Sequence, residues 1–274
     1  MAPTYGQRRT EQLRKRMQLE AQLEGSLRTE FNRVVREYRR NYRATGSEGP
    51  ELIAQHRTRL ATLLEASYRR SARRFKGDAA VELRVPERTD TEFRDLVDAS
   101  LEAWSRQTAF TVSGYISVTT QNNVRQSVQR AVSIAAEAGE TLDQATTALQ
   151  SSQVLQTILR NRAEGIAVSE TTNGVETTKL TEVQAYAGEV PEVGRNLGLQ
   201  PVDPVQGAVR KRWQTILDGR ERQSHRDANG QTVPLDQPFV VQGENLMYPR
   251  DSSMGASLNN IIGCRCSTRY VREG

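Results

Sequence analysis

Apolar residues recur every three or four positions along the first 75 residues of the chain, and polar residues fill the positions between them. This spacing predicts two amphipathic helices, one over residues 10–43 and one over residues 51–75. Gly46, Gly49 and Pro50 separate the two helices. A stripe this long and narrow needs a partner helix, so we expect the two to form an antiparallel pair. The apolar positions of the first helix are Leu13, Met17, Leu23, Leu27, Phe31, Val34, Val35 and Tyr38.

The pattern becomes less regular in the following stretch. Residues 77–90 form a connector in which apolar and polar residues alternate, which predicts a short strand closed by Pro86. A further helix begins at Asp90 or Thr91. After Thr108 the β-branched residues crowd together, so both helix and extended chain fit this stretch. We expect a helix with a break near Gly114, because glycine weakens a helix interior.

Three further elements complete the helical part of the chain. Thr141 and Gln144 form a capping-box pattern, which predicts a short helix over residues 142–150. The apolar spacing then predicts a long helix over residues 151–187, and the glycine that follows is a typical helix stop. Residues 189–208 are rich in proline and glycine and are predicted to form a loop.

Signals for short strands replace the helical pattern in the remaining residues. Alternation over residues 209–217 predicts a strand, and Asn229-Gly230 predicts a hairpin turn between short strands. Residues 239–241 and 264–271 are further strand candidates, with a short helix over residues 258–262 between them.

The predicted fold class is therefore α+β. A long helical N-terminal region, residues 1–150, precedes a small mixed α+β C-terminal module, residues 151–274, with short antiparallel strands. A chain of 274 residues is long enough for one large or two ordinary domains. Its hydrophobic content of 36% and mean hydropathy of -0.66 are low for a compact globule of this size. They indicate extended helices with large solvated faces, or surfaces buried only against partners.

The composition also indicates the kind of cellular compartment in which the protein is expected. No apolar run is long enough to span a bilayer, and the first residues contain no apolar signal core. We therefore expect no membrane contact in the free state. The two cysteines have one residue between them, which is not the pattern of a secreted disulfide framework. A reducing compartment is expected.

The charge is distributed unevenly along the chain. Residues 1–88 contain 20 Lys and Arg against 11 Asp and Glu, whereas residues 89–208 contain 8 against 15. A basic N-terminal region of this kind either contacts phosphates or an acidic protein surface, or forms helix faces on which Arg pairs with Glu. Almost all of these cations are arginine, which suits bidentate contacts to carboxylate or phosphate.

The C-x-C pair near the C-terminus is the strongest candidate for chemistry. On a strand, Cys264 and Cys266 would direct both sulfurs to one face and Arg265 to the other. With His225 and Asp218 brought close by folding, two thiolates, an imidazole and a carboxylate would form a four-ligand set that suits zinc. The alternative is two buried thiols beside a histidine that hydrogen-bonds a backbone carbonyl.

Two catalytic interpretations use the same region. His225 would act as general base for a thiol of the C-x-C pair, oriented by Asp218 or Asp236. Alternatively, Asp218, Asp236 and Asp251 would hold a divalent metal for nuclease chemistry. Neither has a supporting local signature, so we expect that the chain is not an enzyme and that these residues build turns. The other histidine, His56, is expected to be a helix-surface or packing residue.

The residues of this region follow the order W…D-G-R-x-R-x-x-H…N-G-x-x-V…D…F…Y-P-x-D…C-R-C. This order resembles the C-terminal domain of the phage Mu F-like minor head proteins, also called the head morphogenesis family, over about residues 155–274. Ser169-Glu170-Thr171 resembles the Thr/Ser-Glu element of that family. The family has asparagine directly before C-R-C, where this chain has Gly263. The matching positions are Trp213, Asp218, Arg220, Arg222, His225, Gly230, Val233, Asp236, Phe239, Pro249, Asp251, Cys264 and Cys266.

The resemblance implies a minor capsid protein in the virion of a tailed bacteriophage or prophage. Such a protein would associate with the portal protein or the major capsid protein, in the capsid interior near the portal vertex, after assembly in the host cytoplasm. It would act in head morphogenesis and in DNA packaging or ejection. Contact with packaged DNA would use the basic N-terminal region. The alternatives are a metal-dependent nuclease or hydrolase in the C-terminal module, and a DNA-binding protein that acts through the basic N-terminal region.

Overall fold

The structure is a computed structural model that describes residues 5–45, 51–141, 143–145, 153–216, 219, 221–251 and 253–273. Helices occupy most of the chain up to residue 196, and short strands begin at residue 208. Within the described residues, no helix combines the length and the apolar content needed to cross a membrane. The first six helices are α1 (Tyr5–Thr45), α2 (Glu51–Phe75), α3 (Asp78–Leu83), α4 (Thr91–Glu137), α5 (Gln153–Tyr186) and α6 (Glu192–Asn196).

All strand pairs of the C-terminal region are antiparallel. A three-stranded sheet has the order β2-β1-β5, and β3 and β4 form a separate two-stranded sheet. The predicted α+β class is confirmed, with long helices followed by short antiparallel strands. The C-terminal elements are β1 (Ala208–Gln214), α7 (Gln223–Asp227), β2 (Thr232–Pro234), β3 (Phe239–Val241), β4 (Glu244–Leu246), α8 (Leu258–Ile261) and β5 (Ser267–Glu273).

The chain forms two compact units, each assembled from separate stretches of sequence. The first unit contains Met1–Leu19, Ser67–Ser105 and Val168–Gly274, and the second contains Glu20–Ala66 and Arg106–Ala167. The division into a docking region, residues 1–150, and a Mu F-like domain, residues 151–274, stays a prediction. The strands and the candidate chemistry of the C-terminal region all lie in the first unit.

The second unit contains a buried ionic network between α1 and α2. The carboxylate of Glu30 accepts hydrogen bonds from His56 Nδ1 at 2.9 Å and from Arg59 Nε at 2.7 Å. Burial raises the pKa of Glu30, but these hydrogen bonds outweigh it and leave the pKa below its ordinary value. The expectation that His56 is a helix-surface or packing residue is therefore resolved in favour of packing, since the side chain is buried.

The apolar core of the first unit lies around α3, the start of α4 and the end of α5. The rings of Phe93 and Tyr186 pack at its centre, with their centroids 4.6 Å apart. The fully buried Tyr270 of β5 belongs to the same cluster, so the core joins the helices to the three-stranded sheet. The buried members are Ala79, Ala80, Leu83, Phe93, Leu96, Val97, Leu101, Val183, Ala185, Tyr186, Val190, Leu235 and Tyr270.

Helix α4 corrects one prediction, because it continues without interruption past Gly114. The Ser and Thr hydroxyls of this stretch bond back to carbonyls of the preceding turn, as Ser117 does to Gly114 at 2.9 Å and Thr120 to Ile116 at 2.7 Å. Arg57 also packs against this turn, since its Nε would lie 3.5 Å from a Cβ on Gly114, an ordinary van der Waals distance. Tertiary contacts therefore override the weak helix propensity of this segment.

Residues 78–83 form a helix, so the predicted strand closed by Pro86 is wrong. The buried positions of this helix are Ala79, Ala80 and Leu83, which is helical spacing, whereas Val81 is largely exposed. The predicted loop over residues 189–208 likewise contains the short helix α6. Of these two short helices, α3 contributes its buried face to the core of the first unit.

Local signals in the C-terminal half had mixed outcomes. The capping box of Thr141 and Gln144 is confirmed by reciprocal hydrogen bonds, although most of the predicted helix over residues 142–150 lies outside the described residues. Asn229-Gly230 connects α7 to β2, so it is not a hairpin turn between two strands. The true hairpin joins β3 and β4, and it was not predicted.

A buried carboxyl group makes the stability of the first unit depend on pH. Glu182 of α5 is 2% exposed, and its Oε1 accepts a hydrogen bond from the backbone nitrogen of Gly77 at 2.6 Å, where α3 begins. Its second oxygen, Oε2, has no hydrogen-bond partner among the residues that the structure describes. Burial raises the pKa of Glu182 to about 7, against the lowering effect of the hydrogen bonds from Gly77 and Ala79.

We predict that Glu182→Gln stabilises the protein above pH 7. The folded chain retains the proton up to about pH 7, whereas the unfolded chain loses it near 4.5. Ionisation therefore lowers the free energy of unfolding progressively as the pH rises through this window. The neutral amide avoids this loss, so the variant should exceed the parent by up to roughly 3 kcal/mol at pH 8 and by little at pH 4.

Denaturant unfolding at several pH values measures this difference. Glu164→Gln is the matched control, because Glu164 is an exposed glutamate on the same helix. The control should leave the free energy of unfolding almost unchanged across the range. Parallel pH profiles for the parent and Glu182→Gln would contradict the assignment of this titration to Glu182.

Candidate metal centre

A small apolar cluster forms the interior of the C-terminal strands. The indole of Trp213 on β1 meets two rings edge to face, that of Phe239 at 5.4 Å and that of His225 at 5.7 Å between centroids. Trp213 is fully buried. The buried members of the cluster are Trp213, Ala228, Phe239, Val241, Leu246, Cys264 and Cys266.

Three potential metal ligands converge at the edge of this cluster. His225 comes from α7, while Cys264 and Cys266 come from the segment directly before β5. One ligand atom of each residue lies within 4.8 Å of the other two, and all three side chains are buried. His225 Nδ1 is 3.5 Å from Cys266 Sγ. Within the described part of the chain, this is the one group of three such residues that the structure brings together.

The prediction that the C-x-C pair lies within a strand is wrong, because β5 begins at Ser267. Its partner strand β1 ends at Gln214, opposite Ser267, so the ladder has no partner for earlier residues. The expected alternation nevertheless holds, since both cysteines are buried and Arg265 is exposed between them. The sulfurs therefore face the interior, as a metal site requires.

Asn260 of α8 orients the imidazole. Its Nδ2 donates to the carbonyl of Val241 at 3.2 Å and to Glu244 Oε2 at 2.7 Å, which leaves Oδ1 as the acceptor. His225 Nε2 lies 3.2 Å from this oxygen and must therefore carry the proton. His225 Nδ1 is left with a free lone pair directed towards the sulfurs. This arrangement is typical of metal-binding histidines, whose second nitrogen donates to a fixed acceptor.

The two thiols share their protons unequally. The hydrogen bond from Cys266 lowers the pKa of Cys264 well below its ordinary value, with a smaller contribution from the neighbouring His225, although burial opposes this. The hydrogen bond to Cys264 and burial raise the pKa of Cys266. One thiolate therefore forms readily, but a second negative charge beside it is strongly disfavoured. A cation bound between the sulfurs would compensate that second charge.

These three side chains could hold a metal ion, and their donor types suit a borderline to soft metal. The predicted fourth ligand, Asp218, lies outside the described residues, as does Arg220. A cavity of about 240 Å³ adjoins the cluster and is lined by the three ligands together with Glu221 and Arg265 among others. This space is large enough to admit a water molecule or another ligand beside the three side chains.

Glu221 is a site residue that the sequence reasoning missed. Its side chain is 6% exposed, and its Oε1 pairs with Arg226. Its Oε2 is buried and has no hydrogen-bond partner among the described residues. The hydrogen bond to its own backbone lowers the pKa of Glu221, with a smaller effect from Arg226, so the group is a carboxylate at neutral pH. It is the carboxylate nearest in sequence to His225 that the structure places at the cavity.

The other predicted residues have structural roles in the described part. Asp251 is buried and uses both oxygens to close a turn, accepting from the backbone nitrogens of Met247 at 2.9 Å and Ser253 at 2.8 Å. Asp236 is exposed. Burial lowers the pKa of Lys211 to about 8, although Asp251 and Asp236 both lie near enough to that amine to raise it. Asp218, the third residue of the predicted nuclease site, lies outside the described residues, so that site stays a prediction. Further motif positions adopt turn or packing roles: Gly230 has a φ of 86°, Pro249 is buried, and Arg222 donates to the carbonyl of Ile262.

The Y-P-x-D segment is fastened to α5. Tyr248 donates to Asn173 Oδ1 at 3.2 Å, and Arg250 donates to the hydroxyl of Thr172 at 3.3 Å. Glu170, from the Ser-Glu-Thr element, accepts a hydrogen bond from Tyr68 at 2.6 Å. Burial raises the pKa of Glu170, although Tyr68 and Arg250 act against this. The two motif elements therefore meet in a polar network rather than in the metal cluster.

Comparisons with known proteins give limited information. No protein-family model and no solved structure matches the chain. The chain is 24% identical over 107 residues to the NAD(+)--arginine ADP-ribosyltransferase EFV of Enterococcus faecalis (strain ATCC 700802 / V583). The aligned part covers 39% of this chain and 21% of that protein, so the chain matches about a fifth of the relative's length.

This similarity corrects one expectation. The absence of a catalytic signature led us to expect that the chain is not an enzyme, and the relative is named for an enzymatic activity. The absence of a familiar local motif is weak evidence, because catalytic groups are defined by their geometry in the folded protein. The Mu F-like resemblance is neither supported nor opposed by these comparisons.

We predict that Asn260→Ala weakens divalent metal binding by about 10- to 100-fold, since it removes the acceptor that orients the imidazole. Competition against a chromophoric chelator measures the affinity. Asn259→Ala is the matched control, because Asn259 is the neighbouring asparagine on the same helix and is exposed. Equal affinities for the parent and both variants would show that Asn260 has no part in metal binding.

Proposed function

We propose that this chain is a minor head protein of a tailed bacteriophage or prophage. The observation that carries the proposal is the convergence of motif residues that are distant in sequence. Trp213, His225, Cys264 and Cys266 follow the order of the Mu F-like family, and they contribute to a single buried cluster. Residues whose order and spatial proximity agree in this way support a shared module more strongly than any single motif does.

The helical second unit has a surface that fits a docking role. Phe110, Tyr115 and Val118 of α4 are 61%, 73% and 53% exposed. Their spacing places them on one side of the helix. Large apolar side chains that cluster on a helix surface are typical of protein contacts. In this proposal they contact the portal protein or the major capsid protein, in the capsid interior near the portal vertex, after assembly in the host cytoplasm.

Particle analysis tests this function. We expect the chain to be present in DNA-filled heads purified from the phage that encodes it, at a few copies per particle by quantitative mass spectrometry. Deletion of the gene should reduce the yield of DNA-filled heads by at least tenfold. Replacing Phe110 and Tyr115 with serine should release the protein from heads without unfolding it. Heads that lack the protein in the parent phage would refute the proposal.

We also propose that the metal of the C-terminal module is zinc and that it stabilises the fold. Two thiolates and an imidazole are a frequent part of structural zinc sites. The tautomer fixed by Asn260 and the readily formed thiolate of Cys264 match the ligand states that zinc binds. The fourth ligand is Asp218, Glu221 or a water molecule in the adjacent cavity.

We predict about one zinc ion per chain in protein purified without chelators, as measured by elemental analysis. Cys266→Ser should lose the zinc and lower the melting temperature by roughly 5–10 °C, because bound metal stabilises the folded state by a few kcal/mol. Arg265→Ala, at the exposed position between the cysteines, should retain the metal. A chelator should destabilise the parent but not Cys266→Ser, and an equal effect on both would contradict a structural zinc.

An enzymatic function is the second candidate, favoured by the similarity to a protein named as an arginine ADP-ribosyltransferase. The cavity beside Cys264, His225 and Glu221 provides a thiolate, an imidazole and a carboxylate near one another. Incubation with NAD⁺ and free arginine tests a transfer activity through the release of nicotinamide. If the parent releases nicotinamide and Glu221→Gln does not, with the fold and the metal content unchanged, the result favours an enzymatic function.

A further inference from the structure

Arginines make up half of the residues that line a second cavity, which shares no lining residue with the cavity beside the metal cluster. It has a volume of about 300 Å³ and belongs entirely to the first unit. Arg8 and Arg9 come from the first turns of α1, Arg84 follows α3, and Arg269 lies on β5. Four guanidinium groups from three separate parts of the sequence thus border one space.

The sheet adds a fifth arginine beside this cavity. Arg212 of β1 stands directly opposite Arg269 in the β1–β5 ladder. Paired residues of an antiparallel ladder have their side chains on the same face, and like charges in this position repel each other. This face is opposite to the one that carries Trp213 into the core. Placing these two positive charges side by side is unfavourable by itself. An anion bound between them would make the interaction favourable.

The one carboxylate that borders the cavity does not neutralise these charges. Glu82 accepts from Lys179 Nζ at 2.7 Å and from the backbone nitrogen of Tyr270 at 2.8 Å. Its charge is therefore compensated from the buried side by Lys179. Four arginines and a single carboxylate therefore line the cavity, so its lining carries more positive than negative charge.

The backbone at Arg84 supports a role for its side chain. Arg84 adopts a left-handed conformation with φ 56°, in which glycine or asparagine is favoured at the end of a helix. Its side chain is exposed, and in the described part of the chain it is not in an ion pair. The left-handed backbone by itself does not favour arginine at this position, and the exposed guanidinium stands where an anion could reach it.

We propose that this arginine-lined cavity binds a backbone phosphate of nucleic acid. Guanidinium groups match phosphate oxygens with paired hydrogen bonds, and several can surround one anion. The cavity admits a phosphate group with part of its sugar, while the strand continues past Arg212 on the adjoining sheet face. Recognition of this kind positions the nucleic acid without reading its sequence. That the nucleic acid is packaged DNA rests on the proposed function, but the phosphate contact does not.

The test is a titration of the full chain with a fluorescent 30-base-pair duplex across a salt series. The variant Arg84→Gln with Arg212→Gln removes two charges at exposed positions of the site. The matched control, Arg36→Gln with Arg40→Gln, removes two exposed charges from α1 outside the cavity. Circular dichroism and melting curves establish that both double variants remain folded.

We expect the site variant to weaken duplex binding at least tenfold in low salt. The slope of log K against log salt should become shallower by about 2, because each lost phosphate contact changes it by about 0.9. The control should change both quantities much less. Equal weakening by the two double variants, or none by the site variant, would overturn the proposal.

Competing ligands distinguish other sources of negative charge. Inorganic phosphate and poly-glutamate are titrated against the bound duplex in the same salt series. Loss of the duplex at low millimolar phosphate would assign a small-anion site, and preferred binding of poly-glutamate would assign an acidic protein partner. Either result overturns the nucleic-acid proposal. If the protein binds the duplex but is absent from phage heads, this proposal still holds. Only the assignment of the nucleic acid as packaged DNA is then wrong.

Discussion

The contact between the His225 imidazole and the Cys266 thiol is the constraint on which the C-terminal module depends. It joins α7 to the segment before β5, although 41 positions separate the two residues. The apolar cluster around it has seven buried residues, and two of them are the cysteines themselves. The burial of apolar side chains alone therefore stabilises this module little. An unpaired buried polar group costs about 1–3 kcal/mol of stability. A cation that held both sulfurs would satisfy their charge and connect the two segments at once.

The position of the cysteines is in turn fixed by charged residues of α5. Lys179 donates to the carbonyl of Thr268 at 2.6 Å, and Glu176 accepts from the backbone nitrogen of Thr268 at 2.9 Å. These bonds hold β5 in place at Thr268, which is two residues after Cys266. Arg16 also donates to the carbonyl of Cys266 itself at 3.5 Å. Buried charges of this kind specify a geometry only when all partners are present. The helical scaffold thus positions the metal ligands, which connects the fold of the first unit to its chemistry.

Much of the fold followed from local sequence patterns. The apolar spacing predicted the bounds of α2 and the approximate extent of α1 and α5, since a long stripe of this period is buried only as a helix. Short elements were less predictable, as the helix α3 and the hairpin of β3 and β4 illustrate. A single turn of chain satisfies several local patterns, so its packing partners decide its conformation. The uninterrupted course of α4 past Gly114 has the same cause, because Arg57 packs against the helix beside the glycine.

The sequence by itself determined the ligand types of the candidate centre, because the rare residues His225, Cys264 and Cys266 offer donors that few other positions can supply. Only the tertiary structure decided which groups surround them. Asn260 orients the imidazole and Glu221 borders the cavity, while Asp236 is exposed and does not line that cavity. The physical reason is that periodicity encodes which face of an element is buried, whereas buried polar groups must be satisfied by whichever partners folding brings within hydrogen-bond distance. Those partners carry no mark in the local sequence.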